Sequence, residues 1–248
     1  MDLLHEIARC PHIQQWFSDP QRNNPCAKII SVQHSSHPDT LDQHQVSEPW
    51  SGDIQHAPIL FFSSNPSIDE QEEFPLWSWS DEWIEDFFTH RYNGGRKQWI
   101  EGGTRFLRLD GSRGRAVSFW SQVRNRAKEL LERDVTDGVD YALTEVVHCK
   151  SRSEIGVEAA LPECAKLYLR RVVVLSGAKV IVILGKHAKI TVRDELRIPE
   201  GDMVGPLQIG KHQRYVVFLP HPNAHMARTF EACFDPTKLQ ELRAFLSK

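Results

Sequence analysis

Short apolar runs, each bounded by polar or turn-forming residues, recur along the chain and predict buried β-strands. Unbroken runs of this kind are typical of strands inside a parallel sheet, because both faces of such a sheet are covered. The predicted strands are Lys28 to Val32, Ile59 to Phe62, Tyr141 to Val147, Val180 to Leu184 and Tyr215 to Leu219.

Between these runs, apolar residues recur at the spacing of amphipathic helices. The last predicted helix begins at Pro236 with Asp235 as its N-cap, and Gly177 is predicted to end an earlier helix. Strands that alternate with helices favour right-handed crossovers and a doubly wound α/β sheet. The other predicted helices are Trp79 to Phe88, Ser118 to Glu132, Pro162 to Ser176 and Lys186 to Arg193.

One stretch, residues 33–57, is poor in apolar residues and rich in His, Ser, Asp and Pro. It predicts a long surface connection, and the irregular spacing of its histidines favours a solvated loop over a metal-binding tract. The chain has 248 residues, of which 40% are hydrophobic, and this is enough for one domain with a normal core. We therefore expect a single domain over residues 1–248, with residues 1–57 as an N-terminal extension and surface loop packed on the core.

The formal net charge of −3 excludes a global basic field, so a nucleic acid would have to meet a local basic patch. The sequence has no basic segment followed by an apolar stretch at its start, and no run of about 18 apolar residues. These features predict a soluble, cytoplasmic monomer that does not bind membranes. Each local cation is also explained as a solvated surface residue, and the candidates to meet phosphates are Arg91, Arg96, Lys97, Arg113, Arg115, Lys186 and Lys189.

Polar, small or rigid residues follow four of the predicted strands. Because the carboxyl ends of parallel strands meet at one edge, where α/β proteins bind their ligands, these residues are expected to share a site. A single Asn-Pro is also a common turn, and a single His is often structural, so the prediction depends on all four segments together. They are SSNPS at 63–67, TE at 144–145 with HCK at 148–150, GKH at 185–187 and PHPN at 220–223.

These segments resemble, in order, the motifs of the uracil-DNA glycosylase superfamily, especially its iron–sulfur-containing bacterial and archaeal branch. ILFFSSNPS at 59–67 is similar to the first motif, a strand followed by Gly-x-Asn-Pro, with Ser63 in the place of glycine. LTEVVHCKS at 143–151 resembles Thr-Asn-Val-Val-Lys-Cys-Arg-Pro, and HPNAHMAR at 221–228 resembles His-Pro-Ser with a trailing Leu-Leu-Arg. PECAKLYLRRVVVLSGAKVIVILGKHA at 162–188 resembles the helix and strand between them. The resemblance covers about residues 58–230 and implies a three-layer fold with a doubly wound, four-stranded parallel sheet.

The resemblance implies a monofunctional DNA glycosylase, which flips a nucleotide out of the duplex and hydrolyses its N-glycosidic bond. Asn65 would position the water, with Asp69 as a weaker candidate, and His221 would donate to the departing base. No lysine stands where a Schiff-base nucleophile is recognisable, so strand cleavage by β-elimination is not expected. The alternatives are an inactive DNA-binding module, in which Asn65 and His221 only cap strand ends, and a small-molecule hydrolase, for which no nucleophile motif is present.

Base recognition is expected from Ser64, Glu145 and an aromatic floor, for which we choose Phe74 over Trp77 and Trp79, with core packing as the alternative role of each aromatic residue. Glu145 stands where uracil-specific relatives have an amide. An ionised carboxylate only accepts hydrogen bonds, and so it predicts a base with an exocyclic amine, such as glucosylated hydroxymethylcytosine in phage DNA. The alternatives are that Glu145 is protonated and accepts uracil, as in a base-excision repair enzyme, or that it pairs with Arg152.

Contacts to DNA are implied for the residues beside the first and last motifs. Small polar groups there would grip phosphates, and the segment after Asn223 would wedge into the vacated base stack. Arg228 is equally explained as a solvated surface residue. The DNA-contacting residues implied by the resemblance are Ser67, Asn223, His225, Met226 and Arg228.

Five cysteines are too few and too widely spaced for a disulfide framework, and their odd number also argues against one. Cys149 and Cys164, 15 positions apart, are similar to the second half of the family's four-cysteine site. Cys10 and Cys26 are 16 positions apart, where the family has Cys-x-x-Cys. The resemblance implies that these four bind a [4Fe–4S] cluster. Zinc and free core thiols are the alternatives, and Cys233 is left over.

Overall fold

The computed structural model describes residues 2–33, 40–224 and 228–248. Its centre is a five-stranded sheet in the order β4-β1-β5-β7-β6, in which the first four strands are parallel and β6 runs antiparallel to β7. A separate hairpin consists of β2 and β3. The strands are β1 (Ile59–Ser63), β2 (Ile100–Glu101), β3 (Arg105–Phe106), β4 (Tyr141–Glu145), β5 (Val180–Leu184), β6 (Met203–Ile209) and β7 (His212–Leu219).

Helices cover both faces of this sheet, so that the predicted three-layer α/β fold is confirmed. No helix among the described residues is long and apolar enough to cross a membrane. The helices are α1 (Leu3–Ala8), α2 (Pro11–Ser18), α3 (Ala27–Ser31), α4 (Asp81–Thr89), α5 (Ser118–Leu131), α6 (Val157–Cys164), α7 (Arg170–Leu175), α8 (Lys186–Leu196), α9 (Phe230–Cys233) and α10 (Pro236–Leu246). A 3-10 turn covers Leu41–Gln43, and a π-helical segment, Ala165–Leu169, joins α6 to α7.

The side chains of β1 alternate between two hydrophobic clusters, one on each face of the sheet. Leu60 and Phe62 belong to the cluster built with α1–α4 and α6–α8. Ile59 and Phe61 belong to the cluster built with α5, α9 and α10. Both faces of the strand are therefore covered, which explains why β1, β4 and β5 are buried at every position and are apolar at almost all of them.

The sheet has a fifth strand, β6, which the sequence analysis missed. It contains Gly205 and Pro206, which disfavour a strand interior, and most of its residues are partly or fully exposed. As the edge strand it tolerates proline, and its register against β7 shifts between Val204 and Leu207. The expected four-stranded sheet therefore gains an antiparallel edge.

Two further predictions of secondary structure need correction. Residues 28–32 do not form a strand, because Ala27–Ser31 is helix α3, whose Ile29 and Ile30 are buried. Periodicity cannot distinguish a helix this short from a buried strand. The single helix expected over 162–176 is two helices with a π-helical segment between them, and it begins at Val157. Gly177 follows the Ser176 C-cap, and a Cβ there would lie 1.9 Å from the Gln55 carbonyl oxygen.

The prediction that residues 33–57 form a surface connection is wrong for the second half of this segment. Residues 44–51 are buried, and Ser51 exchanges two backbone hydrogen bonds with Leu143 of β4, at 2.7 and 3.0 Å. The Thr144 hydroxyl donates to the Pro49 carbonyl at 2.7 Å. The segment covers the exposed edge of β4, whose backbone groups would otherwise lack partners. It thereby brings Glu48 beneath the candidate site.

Candidate active site

The carboxyl ends of β1, β4 and β7 surround a cavity of about 430 Å³. The parallel register sets Ser63 beside Glu145, and it ends β5 and β7 together at Leu184 and Leu219. This register explains why residues far apart in sequence meet at one edge. Of the residues proposed from sequence, the structure brings Ser64, Asn65, Ser67, Asp69, Glu145, His221 and Asn223 to this cavity.

His221 is partly buried and stacks on Phe119, with ring centroids 5.6 Å apart and planes inclined by 21°. The backbone N–H of Asn223 donates to its Nδ1 at 3.2 Å. Burial lowers the pKa of His221, and the charge of Glu154 opposes this only in part. A neutral ring whose Nδ1 accepts a hydrogen bond carries its proton on Nε2. His221 therefore provides an N–H donor without a full positive charge.

Gly185, at the end of β5, lies against His221. A Cβ at position 185 would be 3.4 Å from the His221 Cβ and 3.5 Å from its Cδ2. Gly185 also has φ 92° and ψ 166°, a conformation that residues with a Cβ avoid. Both distances are ordinary van der Waals contacts, so the backbone conformation at Gly185, rather than the space beside the imidazole, is what favours glycine here.

Asn65 is held by its neighbours in the first motif. Its Nδ2 donates to the Pro66 carbonyl at 3.0 Å, and the Ser64 hydroxyl donates to its Oδ1 at 3.4 Å. The Pro66 carbonyl also accepts from the backbone N–H of Ser151 at 3.0 Å, which ties the first motif to the segment after β4. The Asn65 amide is oriented by these bonds, and one lone pair on Oδ1 remains available for a water molecule.

Five buried charged residues form the floor of the cavity: Glu48, Glu72, Arg91, Glu145 and Lys150. The Arg91 guanidinium donates to Glu48 at 2.6 Å and to Glu72 at 2.5 Å, while the Lys150 ammonium donates to Glu72 at 2.6 Å. Burial alone would raise the pKa of Glu72, but Lys150 and Arg91 together hold it below its usual range. Arg91 and Lys150 therefore direct their charged hydrogen bonds to Glu48 and Glu72.

Glu145 is the third carboxyl group beside these two cations, and it receives only a neutral donor. The Ser63 hydroxyl donates to Oε1 at 3.3 Å, and Oε2 is buried without a hydrogen-bond partner among the described residues. Burial, and then the charge of Glu48, raise the pKa of Glu145 well above its ordinary value. A buried carboxyl group in this setting keeps its proton. The structure thus favours the protonated alternative over the ionised acceptor on which the amine-bearing base was predicted.

The alternative pairing of Glu145 with Arg152 is wrong, because Arg152 donates to Glu70 at 2.5 Å. The prediction that Arg91 contacts a phosphate is also wrong, since Arg91 is 1% exposed and lies beneath the cavity. Both errors have the same cause. The sequence gives the charge of a side chain but does not show which partner the fold brings to it.

Phe74 does not line the cavity, and its assignment as the aromatic floor is wrong. Its ring is buried against Phe87 and Phe88, and the Lys150 Nζ lies 3.5 Å from the ring centroid. Trp77 and Trp79 are also outside the lining. The aromatic residues that do line it are Phe106, Phe119 and Trp120.

Phe119 and Trp120 were not predicted as site residues, because they lie at the start of a predicted amphipathic helix. Both of these consecutive aromatic residues pack against the hydrophobic cluster of α5 and are only partly buried, and both also line the cavity. That local excess of aromatic residues is the signal that was available in the sequence.

The residues expected to contact DNA lie at different depths. Ser67 and Asn223 are exposed at the cavity, whereas Arg228 uses its Nη1 on the Pro222 and Ala224 carbonyls and so holds its own loop. His225 and Met226 lie outside the described residues.

Cys10, Cys26, Cys149 and Cys164 are all buried, and they converge from four separate places in the chain. Cys10 and Cys26 precede α2 and α3, Cys149 follows β4, and Cys164 ends α6. Burial raises the pKa of each thiol, that of Cys26 to about 12, and proximity to other cysteines of the set raises the pKa values of Cys26, Cys149 and Cys164 further. The four thiols therefore lie near one another.

Small polar groups surround these thiols. The Tyr168 hydroxyl donates to the Cys10 Sγ at 3.7 Å, and the Ser47 Oγ lies 3.4 Å from the Cys149 Sγ. Within the described ranges, no three His, Cys, Asp or Glu side chains are grouped tightly enough to hold a single metal ion. Cys233 lies apart, on the other face of the sheet.

Comparison with known proteins adds one finding. No curated protein matches the chain in sequence. The family model for the uracil DNA glycosylase superfamily matches residues 49–247, which include the whole sheet and every residue that lines the cavity except Glu48. Because the match covers most of the chain, and the sheet and its ligand edge fit that fold, the protein belongs to the uracil DNA glycosylase superfamily.

Proposed function

We propose that this protein is a monofunctional DNA glycosylase that flips a pyrimidine nucleotide into the cavity and hydrolyses its N-glycosidic bond. The observation that carries the proposal is the neutral Nε2–H donor of His221 at the same cavity as the Asn65 amide. The bond between C1′ and the base breaks with its electron pair on the base, and the sugar becomes cation-like. Water then forms the new bond at C1′ and loses a proton, while the base takes one up.

His221 stabilises the negative charge that develops on the base, because its N–H points at an oxygen that becomes anionic only as the bond breaks. Asn65 accepts a hydrogen bond from the water and orients it. Neither residue needs to change its charge. This division of roles suits a reaction in which the leaving group is the anion and the nucleophile is neutral water.

Glu145 contacts the edge of the base as a neutral acid. Its Oε2–H donates to an acceptor, which is O4 of a uracil-type base or N3 of a cytosine-type base. Its carbonyl oxygen accepts from the neighbouring N–H of that base. A modified cytosine therefore stays within the proposal, although for a different reason from the ionised carboxylate first expected.

The test is base release from DNA duplexes that each carry one uracil, one 5-hydroxymethylcytosine or one glucosylated 5-hydroxymethylcytosine. Abasic sites are scored by alkaline cleavage, with the His221→Ala and Asn65→Ala variants as controls. We expect release from at least one duplex by the wild-type protein and a large loss in both variants. Binding without release from any of them would contradict the proposal and would assign a DNA-binding module instead.

We also propose that Cys10, Cys26, Cys149 and Cys164 hold a [4Fe–4S] cluster. The burial of all four thiols and their mutual proximity support this, as do the Tyr168 and Ser47 contacts to sulfur. Bound to the thiolates, the cluster would cross-link α2 and α3 to the end of β4. The cluster would thus stabilise the N-terminal segment on the edge of the sheet that forms the site.

A further inference from the structure

Glu48 reaches the floor of the cavity from residues 44–51, the segment that covers the edge of β4. The backbone N–H of Glu48 donates to the His148 carbonyl at 2.8 Å, and Nδ1 of His148 donates to the Glu48 carbonyl, also at 2.8 Å. Burial lowers the pKa of His148 to about 4, so its ring adds no charge near neutral pH. The side chain of Glu48 is therefore fixed under the cavity by backbone bonds to the segment that follows β4.

Among the described residues that line the cavity, the buried floor holds three carboxyl groups and two cations. The carboxyl groups belong to Glu48, Glu72 and Glu145, and the cations are Arg91 and Lys150. If all five side chains were ionised, the floor would carry one net negative charge with little access to water, which is costly. One proton on one of the three carboxyl groups removes that charge.

Hydrogen bonds decide which carboxyl group holds this proton. Arg91 directs Nη1 to Glu48 at 2.6 Å and Nη2 to Glu72 at 2.5 Å, so both Nη atoms are engaged by carboxylates. Lys150 also donates to Glu72. Glu145 accepts a hydrogen bond from neither cation, and its Oε2 is buried without a partner among the described residues. Glu145 is therefore the group on which ionisation is least stabilised.

The remaining groups around Glu145 do not supply a compensating charge. Tyr92 also interacts with Glu145, but burial raises the pKa of Tyr92, so its hydroxyl stays neutral. Burial raises the pKa of Glu145 most, Glu48 raises it further, and Arg91 and Lys150 lower it. With a neutral side chain at position 48, two carboxyl groups would face two cations, and Glu145 could ionise without leaving a net charge in the floor.

We propose that Glu48 is a positioning residue for base recognition: it engages Arg91 and completes the set of three carboxyl groups, and so keeps Glu145 as a neutral hydrogen-bond donor to the base. The inference rests on the proposed glycosylase function and adds the residue that determines which hydrogen bond the cavity offers. A neutral Glu145 binds a base that presents an acceptor at this edge, whereas an ionised Glu145 repels that acceptor.

The test follows the protonation of Glu145 in the free protein by infrared difference spectroscopy as pH is raised. The C=O stretching band of the protonated carboxyl group is assigned by its loss in Glu145→Gln. We expect this band to disappear in Glu48→Gln at a pH about one unit or more below that in the wild type, because a nearby like charge raises a carboxyl pKa by this order. Glu48→Asp keeps the charge and should remain close to the wild type.

Glu6→Gln is the matched control, because it removes a carboxylate that pairs with an arginine, Arg171, away from the cavity. It should leave the midpoint of the Glu145 titration unchanged. Equal midpoints in the wild type and in folded Glu48→Gln would overturn the proposal. Glu72→Gln changes the charge count of the floor in the same way, so if Glu48→Gln does not fold, an unchanged midpoint in Glu72→Gln overturns the proposal instead.

The pH profile of single-turnover base release provides a second measurement. The decline at high pH should move to lower pH in Glu48→Gln, by the same amount as the infrared midpoint. It should be absent when Glu48→Gln is combined with Glu145→Gln. A decline that stays in place would contradict the proposal. The infrared titration needs no turnover, so a protein that releases no base would contradict the glycosylase function, while the spectroscopic midpoints would still decide the role of Glu48.

Discussion

The backbone N–H of Asn223 donates to Nδ1 of His221 at 3.2 Å, so this bond fixes which nitrogen of the imidazole carries the proton. The donor residue, Asn223, belongs to the rigid PHPN segment. Its side chain takes no part in this hydrogen bond, which the backbone N–H makes. Together with the pKa of His221, which burial lowers, the bond keeps a neutral ring with Nε2–H available to the cavity.

Replacing His221 should remove the main stabilisation of the departing base. For His221→Ala we expect kcat to fall about 10²–10³-fold with little change in KM, which is the range found when one such donor is removed. His221→Gln keeps an N–H donor and should recover part of the loss. The measurement is single-turnover base release, and an unchanged rate in His221→Ala would mean that the residue only ends the strand.

Replacing Asn65 tests the positioning of the water. Asn65→Ala should lower kcat by about 10²–10⁴-fold, since the attacking water loses its acceptor. Ser64→Ala removes only a 3.4 Å bond to the same amide and should cost far less. If the two variants lose the same activity in quenched-flow assays, the Asn65 side chain has no specific role in hydrolysis.

The protonated state of Glu145 predicts a dependence on pH. Its folded pKa is raised, so the O–H donor persists to a higher pH than in an exposed glutamate, and base release should decline as pH rises through that pKa. In the unfolded chain the group titrates near 4.5. The stability that its neutral form provides is therefore complete below that pH and is lost as pH rises through the folded pKa. Glu145→Gln keeps a neutral donor and acceptor, and should abolish both declines in pH profiles of activity and of thermal unfolding.

Gly185 is predicted to be necessary for the backbone conformation at the end of β5, which lies beside His221. Gly185→Ala places a methyl group 3.4 Å from the His221 Cβ, in a backbone conformation that costs about 1–3 kcal/mol for residues other than glycine. We expect a lower melting temperature and a reduced kcat. Gly210→Ala is the matched control, because it also has positive φ but lies in the β6–β7 turn, away from the described lining of the cavity. It should lower stability without a comparable loss of kcat.

The four converging cysteines predict iron in the purified protein. An anaerobic preparation should be brown, with absorption at about 400 nm from thiolate-to-iron charge transfer and about four iron atoms per chain. Cys149→Ser should lose both colour and stability, whereas Cys233→Ser should keep them because Cys233 lies on the opposite face of the sheet. A colourless preparation without iron would leave the four residues as core thiols.

Local sequence patterns were sufficient to predict an element wherever one segment determines its own secondary structure. The unbroken apolar runs predicted β1 and β5 almost to the residue, because strands that are covered on both faces have little polar content. The run in β7 predicted only Tyr215 to Leu219, since the strand begins with the polar residues His212, Gln213 and Arg214. Polar segments that follow such strands located the ligand edge, since the ends of parallel strands coincide. The missed strand β6 lacks that pattern, whereas the short helix α3 shares it and was therefore mistaken for a strand.

The sequence by itself therefore determined the parallel sheet, the edge at which a ligand binds and the residues Asn65, Glu145 and His221 that meet there. Only the tertiary structure decided the burial that raises the pKa of Glu145, the burial of Arg91 and the replacement of Phe74 by Phe119 and Trp120 in the cavity. It also decided that residues 44–51 complete the site by covering β4. The physical reason is that a charge or an aromatic ring acquires its role from its neighbours, and those neighbours come from distant parts of the chain.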